Sequence, residues 1–198
     1  MSEGVQESSV SGSKSLISAR DMAQIAVFAA LIAALGLAGS ITVGVSGVPI
    51  TLQTLGVILT GAVLGARKGV AAVAVFIALT LIGLPLLSGG RTGLTALAGP
   101  SAGYLVGWIP GVLVIGFLTA RILPKYPVVL GLLINAFGGI VVIYVFGVIG
   151  LLLRTDLSIT AAITSTFAYI PGDLVKVVIA TVVAKSVHRA YPGIIATR

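Results

Sequence analysis

Unbroken apolar runs constrain this chain more than any other feature. Residues 70–82 hold no polar side chain except Thr80, and only 9% of the 198 residues are charged. A soluble domain carries about a quarter charged residues, so this chain lacks the polar groups to cover a water-facing surface. Barrel strands alternate polar and apolar residues, and these runs do not alternate. A helix satisfies its own backbone hydrogen bonds in lipid. The expected class is all-α: a polytopic membrane bundle, with room for roughly six transmembrane helices of about 20 residues each.

The spans read as residues 22–38, 51–66, 69–87, 103–122, 128–153 and 170–187, with a short apolar helix within 158–169 leading into the last. Residues 1–20 are polar, with Ser and Gly prominent, and read as a flexible cytoplasmic tail. Residues 21–198 are then expected to form one six-helix transmembrane domain. Lys14 and Arg20 ahead of an apolar stretch that ends at Ala38, Gly39 and Ser40 also fit a signal peptide, but the charge count needs that stretch as a span. Prolines punctuate the span ends, and Pro110 lies inside a span as an expected kink. The 26 glycines suit close helix packing.

The connectors sort by charge. Lys14, Arg20, Arg67, Lys68, Arg121, Lys125, Lys185, Arg189 and Arg198 fall on one side, and Arg91 and Arg154 on the other. Basic residues mark the cytoplasmic side, so both termini are expected inside, in the plasma membrane. The outer connectors, 39–50, 88–102 and 154–169, are longer and richer in Gly, Pro, Ser and Thr, which places function on the outer face. The net charge of +7 does not indicate nucleic acid, because the cations are scattered between apolar runs. The single histidine, His188, beside Arg189, reads as a surface residue at the headgroups.

Ionisable groups inside a membrane are functional suspects, and Asp173 and Lys176 are the clear cases. Three residues apart, they share a helix face, and Pro171 marks the first turn that favours the negative charge. They make either a plain neutralising ion pair or a donor–acceptor pair for a polar ligand. Arg91, in the segment 87–93 with its three glycines, is either a snorkelling headgroup contact or a carboxylate clamp. Gln53 and the neighbouring threonines either line a pocket or bond to adjacent helices. The apolar connector 41–48 suits a lid, and Asn135 reads as interhelical glue. Ala26, Ala30, Ala34 and Ala38 form a smooth stripe on the first span, for packing or for docking a membrane partner. There is no cysteine, no P-loop, no metal-ligating cluster and no nucleophile–base pair, so neither an enzyme nor a cofactor is expected.

Together, Val48-Pro-Ile-Thr-Leu-Gln-Thr-Leu-Gly56, Ile82-Gly-Leu-Pro85, Ser88-Gly-Gly-Arg-Thr92, Gly99-Pro-Ser-Ala-Gly-Tyr104 and Pro171-Gly-Asp-Leu-Val-Lys176 resemble the BioY family. The family comprises the biotin-binding substrate components of energy-coupling factor transporters. The resemblance runs over nearly the whole chain after about residue 20. It implies biotin bound near the outer face, with a transmembrane coupling subunit and a pair of ATPases as partners. It implies that Ala26, Ala30 and Ala34 meet the coupling subunit. It draws Thr92 and Tyr104 into the expected binding set with Asp173, Lys176, Arg91 and Gln53. The chemistry agrees: Asp173 can accept from the ureido N–H groups, Lys176 can donate to the ureido carbonyl and Arg91 can hold the carboxylate, or the two cations exchange roles. A stand-alone biotin facilitator or secondary transporter is the alternative.

Overall fold

The computed structural model describes residues 18–42 and 44–195. Most of the sequence-derived tail, with Lys14 and Arg198, lies outside these residues. Helix α1 (Ala19–Leu37) starts three residues earlier than expected, because Ser18 caps it. Ser18 Oγ accepts from the Asp21 amide at 3.1 Å, and the Asp21 carboxylate reaches back to the Ser18 amide at 3.3 Å.

Connector 39–50 is more ordered than a plain loop. Strands β1 (Ser40–Thr42) and β2 (Pro49–Thr51) pair antiparallel. Thr51 therefore closes a ribbon rather than opening a helix. Helix α2 (Gln53–Leu81) follows, broken at Gly65 by φ 77° and ψ −176°, a conformation open to glycine and strained for other residues. The chain doubles back there. A Cβ on Gly69 would stand 3.3 Å from the Thr60 carbonyl oxygen, a separation no continuous helix allows between these positions. α2 stops at Leu81, short of the expected residue 87, where Gly83 takes φ 105° and Pro85 follows.

The next connector carries a tight turn and a short helix, α3 (Gly93–Ala98). Helix α4 (Ala102–Ile122) passes through Pro110 without ending. α5 (Val128–Ala136), a π-helical turn (Phe137–Val142) and α6 (Ile143–Arg154) run on without interruption. α7 (Ile159–Thr166) meets α8 (Ile170–Ala190) at a bend of 46°.

The fold is an all-α polytopic membrane architecture with one small ribbon. Among the described residues, Ala19–Leu37, Gln53–Leu81, Ala102–Ile122 and Val128–Arg154 are long and apolar enough to cross a membrane, and the bent pair α7–α8 adds a fifth candidate. Large apolar side chains such as Val27, Phe117, Leu133, Val145 and Val178 face outward, where only lipid solvates them favourably. Inside, α4 and α6 approach through small residues. A Cβ on Gly107 would lie 3.1 Å from the Ile143 carbonyl oxygen, and one on Gly103 would strike the Phe146 carbonyl oxygen.

Asn135 and His188 are among the polar residues buried in this interior. Asn135 donates to Thr181 Oγ1 at 2.9 Å and so ties α5 to α8. His188 is not a headgroup residue: it is only 6% exposed, lies against the Tyr126 ring and bonds the Ala62 carbonyl at 2.8 Å. A carbonyl only accepts, so the imidazole donates. α8 turns His188 inward in phase with buried Ala180 and Ala184.

Candidate ligand-binding site

One cleft gathers residues from β2, the starts of α2 and α8, the 87–91 turn, and α3, α4 and α6. The space within it, counted out to its open mouth, is about 650 Å³. Asp173, Lys176, Arg91, Gln53 and Tyr104 all line it. Thr92 is not in the lining: its hydroxyl caps α3 by accepting from the Thr95 amide at 3.3 Å.

Asp173 and Lys176 are 4% and 5% exposed. Lys176 Nζ lies 2.7 Å from Asp173 Oδ1, and the Tyr144 hydroxyl donates to Oδ2 at 2.6 Å. Each carboxylate oxygen keeps a further lone pair, and the ammonium keeps two N–H groups. The cluster is thus neutral overall yet able to both accept and donate. Tyr104, Tyr144 and Tyr169 meet edge to face, with ring centroids 6.0–6.3 Å apart. The buried Tyr104 hydroxyl has no hydrogen-bond partner among the described residues. Gly147 makes room for that ring, because a Cβ there would stand 2.5 Å from it.

Arg91 belongs to a turn made rigid by its backbone. Leu87 and Arg91 exchange amide hydrogen bonds at 3.0 and 3.2 Å, and Gly89 and Gly90 between them both hold positive φ. The guanidinium donates to the Ser88 carbonyl and to Ser101 Oγ, each at 3.2 Å. No carboxylate lies within salt-bridge distance of it among the described residues. Partial burial in this loop lowers its pKa from the ordinary arginine value.

Gln53 is committed to the fold. Its amide nitrogen donates to the Ile32 and Leu86 carbonyls at 3.2 and 3.1 Å, and its oxygen accepts from the Ser88 amide at 3.0 Å. It thereby pins α1 and the Arg91 turn to the start of α2. Ala26, Ala30 and Ala34 lie away from the cleft on the exposed face of α1, while Ala29, Ile32 and Gly36 face inward.

A model of the BioY family matches residues 8–193. The chain belongs to the BioY family. It is similar to the protein named biotin transporter BioY of Rhizobium etli, at 45% identity over 181 residues, 89% of this chain and 97% of that one. The protein of the same name in Rhodobacter capsulatus is 44% identical over 189 residues, 90% of this chain and 98% of that one. A crystal structure of the S-component for biotin from an ECF-type ABC transporter superposes with a TM-score of 0.85 at 30% identity, covering 90% of this chain and 96% of that chain.

This BioY-family cleft also holds Tyr144, Tyr169, Trp108 and Ser101, none of which sequence reasoning singled out individually, although the ring of biotin calls for Leu, Val, Tyr or Trp side chains around it. Tyr144 carried a signal: with Asn135, it is one of the few hydrogen-bonding side chains in residues 128–153. Trp108 carried only the general expectation of an aromatic around the ring, because an indole in an apolar span also reads as ordinary core, and it does pack on Phe76 at 5.9 Å.

Proposed function

We propose that this chain captures biotin at the outer face of the plasma membrane and is the substrate-binding component of an energy-coupling factor transporter. The observation that carries the reading is the Asp173–Lys176–Tyr144 cluster, buried in an aromatic cleft with unused donors and acceptors. Biotin's ureido group offers two N–H donors and one carbonyl, which match Asp173 and Lys176. Its apolar ring suits the tyrosines and Trp108. Its carboxylate suits Arg91, which has no acidic partner among the described residues. Tyr104 completes the set through its hydroxyl, which has no partner among the described residues. Gln53 contributes indirectly, by holding the Arg91 turn.

The reading includes six spans, counting the halves of α2 on either side of Gly65 separately and α8 as the last. Both termini then lie in the cytoplasm. The charge distribution supports this: Arg20, Arg67, Lys68, Arg121, Lys125, Lys185 and Arg189 fall at one set of helix ends, and Arg91 and Arg154 at the other. The exposed Ala26, Ala30 and Ala34 form a smooth face on which a coupling subunit with its ATPases docks. Titration of the purified chain with labelled biotin tests the proposal. Saturable one-to-one binding, competed by unlabelled biotin, is expected; absence of binding by correctly folded protein overturns it.

A further inference from the structure

A second concavity lies at the far end of α8 from Asp173. Lys185, Ser186 and Arg189 border a groove against the start of α5, with Val128, Val182 and Ala190 as its apolar surface. Residues 182, 185, 186, 189 and 190 follow the helical period, so they share one face of α8. The Ser186 hydroxyl is spent on the Val182 carbonyl at 3.0 Å, which leaves the two cations as the recognition groups. Neither lies within salt-bridge distance of a carboxylate among the described residues, whereas Lys68 is held by Asp21 at 3.3 Å. Exposed Val129 and Val182 make the flank lipid-facing. The groove shares no residue with the alanine stripe of α1.

We propose that this groove binds the headgroup of an anionic phospholipid. Lys185 and Arg189 hold the phosphate, and Val128 and Val182 cover the first carbons of the acyl chains. The pairing of cations with an apolar wall at a lipid-facing helix end selects a lipid over a free anion, which would leave that wall uncovered. Basic pockets between helices at the cytoplasmic interface bind acidic headgroups in this way. The inference rests on the topology proposed above, which puts this end at the inner leaflet.

Native mass spectrometry of the purified full chain, supplied with equal phosphatidylglycerol and phosphatidylcholine, tests it. Wild-type protein should retain phosphatidylglycerol selectively. Lys185→Gln with Arg189→Gln should weaken that retention about 30-fold, from about fivefold per basic side chain near the surface. Arg154→Gln, at the other end, should leave it unchanged. Equal retention by wild type and the double variant would overturn the proposal, as would equal retention of the zwitterionic lipid. Displacement of the lipid by inorganic phosphate would also overturn it, by revealing a small-anion site. A reporter fused after Arg198 reads the topology separately, with activity expected only on the cytoplasmic side, so failure of the lipid site is distinguishable from failure of the topology it rests on.

Discussion

The Tyr144 hydroxyl stands 2.6 Å from Asp173 Oδ2 and so joins α6 to the first turn of α8 inside the cleft. Lys176 holds the other carboxylate oxygen. The carboxylate is therefore fixed from two helices, and the π-helical turn just before α6 sets the register that brings Tyr144 to it. A wider turn inserted into a helix re-aims every side chain after it, and such turns cluster at functional sites. Four expectations follow from the geometry around this pair and from the faces of the helices.

Removing one charge of the Asp173–Lys176 pair leaves the other buried and alone, at a cost of about 3–5 kcal/mol. Single changes should therefore lower the yield of folded protein. The double change Asp173→Asn with Lys176→Gln keeps shape and hydrogen-bonding groups. It should purify normally and bind biotin at least about 100-fold more weakly, since each charge-assisted bond is worth roughly 1.5–3 kcal/mol. Wild-type affinity in the double variant, measured by titration, would make the pair structural.

Tyr144→Phe keeps the ring and its edge-to-face contacts while deleting the bond to Asp173. The carboxylate then swings free on one side. Biotin should bind about tenfold more weakly, on the lower side of the roughly 1.5–3 kcal/mol for such a bond, and the thermal midpoint should fall slightly. Unchanged affinity in calorimetry would show that Tyr144 does not orient the acid.

Arg91→Ala should weaken biotin more than it weakens a biotin amide without the carboxylate. Arg91 is already held by Ser88 and Ser101, so its position is set before a ligand arrives. Competition binding with the two ligands measures the difference. An equal loss for both would assign Arg91 to holding the turn rather than to charge recognition.

Ala30→Trp and Ala34→Trp place bulk on the exposed face of α1 and leave its buried face, Ala29, Ile32 and Gly36, intact. Biotin binding should survive while energised uptake into cells drops sharply, because a close helix contact tolerates no added bulk. Parallel loss of binding and uptake would place the stripe in intramolecular packing.

Local patterns in the sequence carry the membrane class, the family and the suspect ionisable pair. An apolar run long enough to span lipid is legible residue by residue, and Asp173 and Lys176 stand out because charge inside such a run is costly. The break between the second and third expected spans was also legible, because Gly65 and the basic pair Arg67 and Lys68 interrupt two apolar stretches. What tertiary structure decided is which polar groups meet. Gln53 reaches Ile32 and Leu86, Tyr144 reaches Asp173, and His188 bonds Ala62 from 126 residues away. In a soluble helix the polar face reveals how the helix is turned. These helices are apolar on nearly every face, so periodicity does not report their rotation in the bundle. Close packing sets that rotation instead: Gly36 leaves room for the Gln53 amide, and Gly103 and Gly107 let α4 and α6 meet along one seam, a contact made between elements that no single apolar run records.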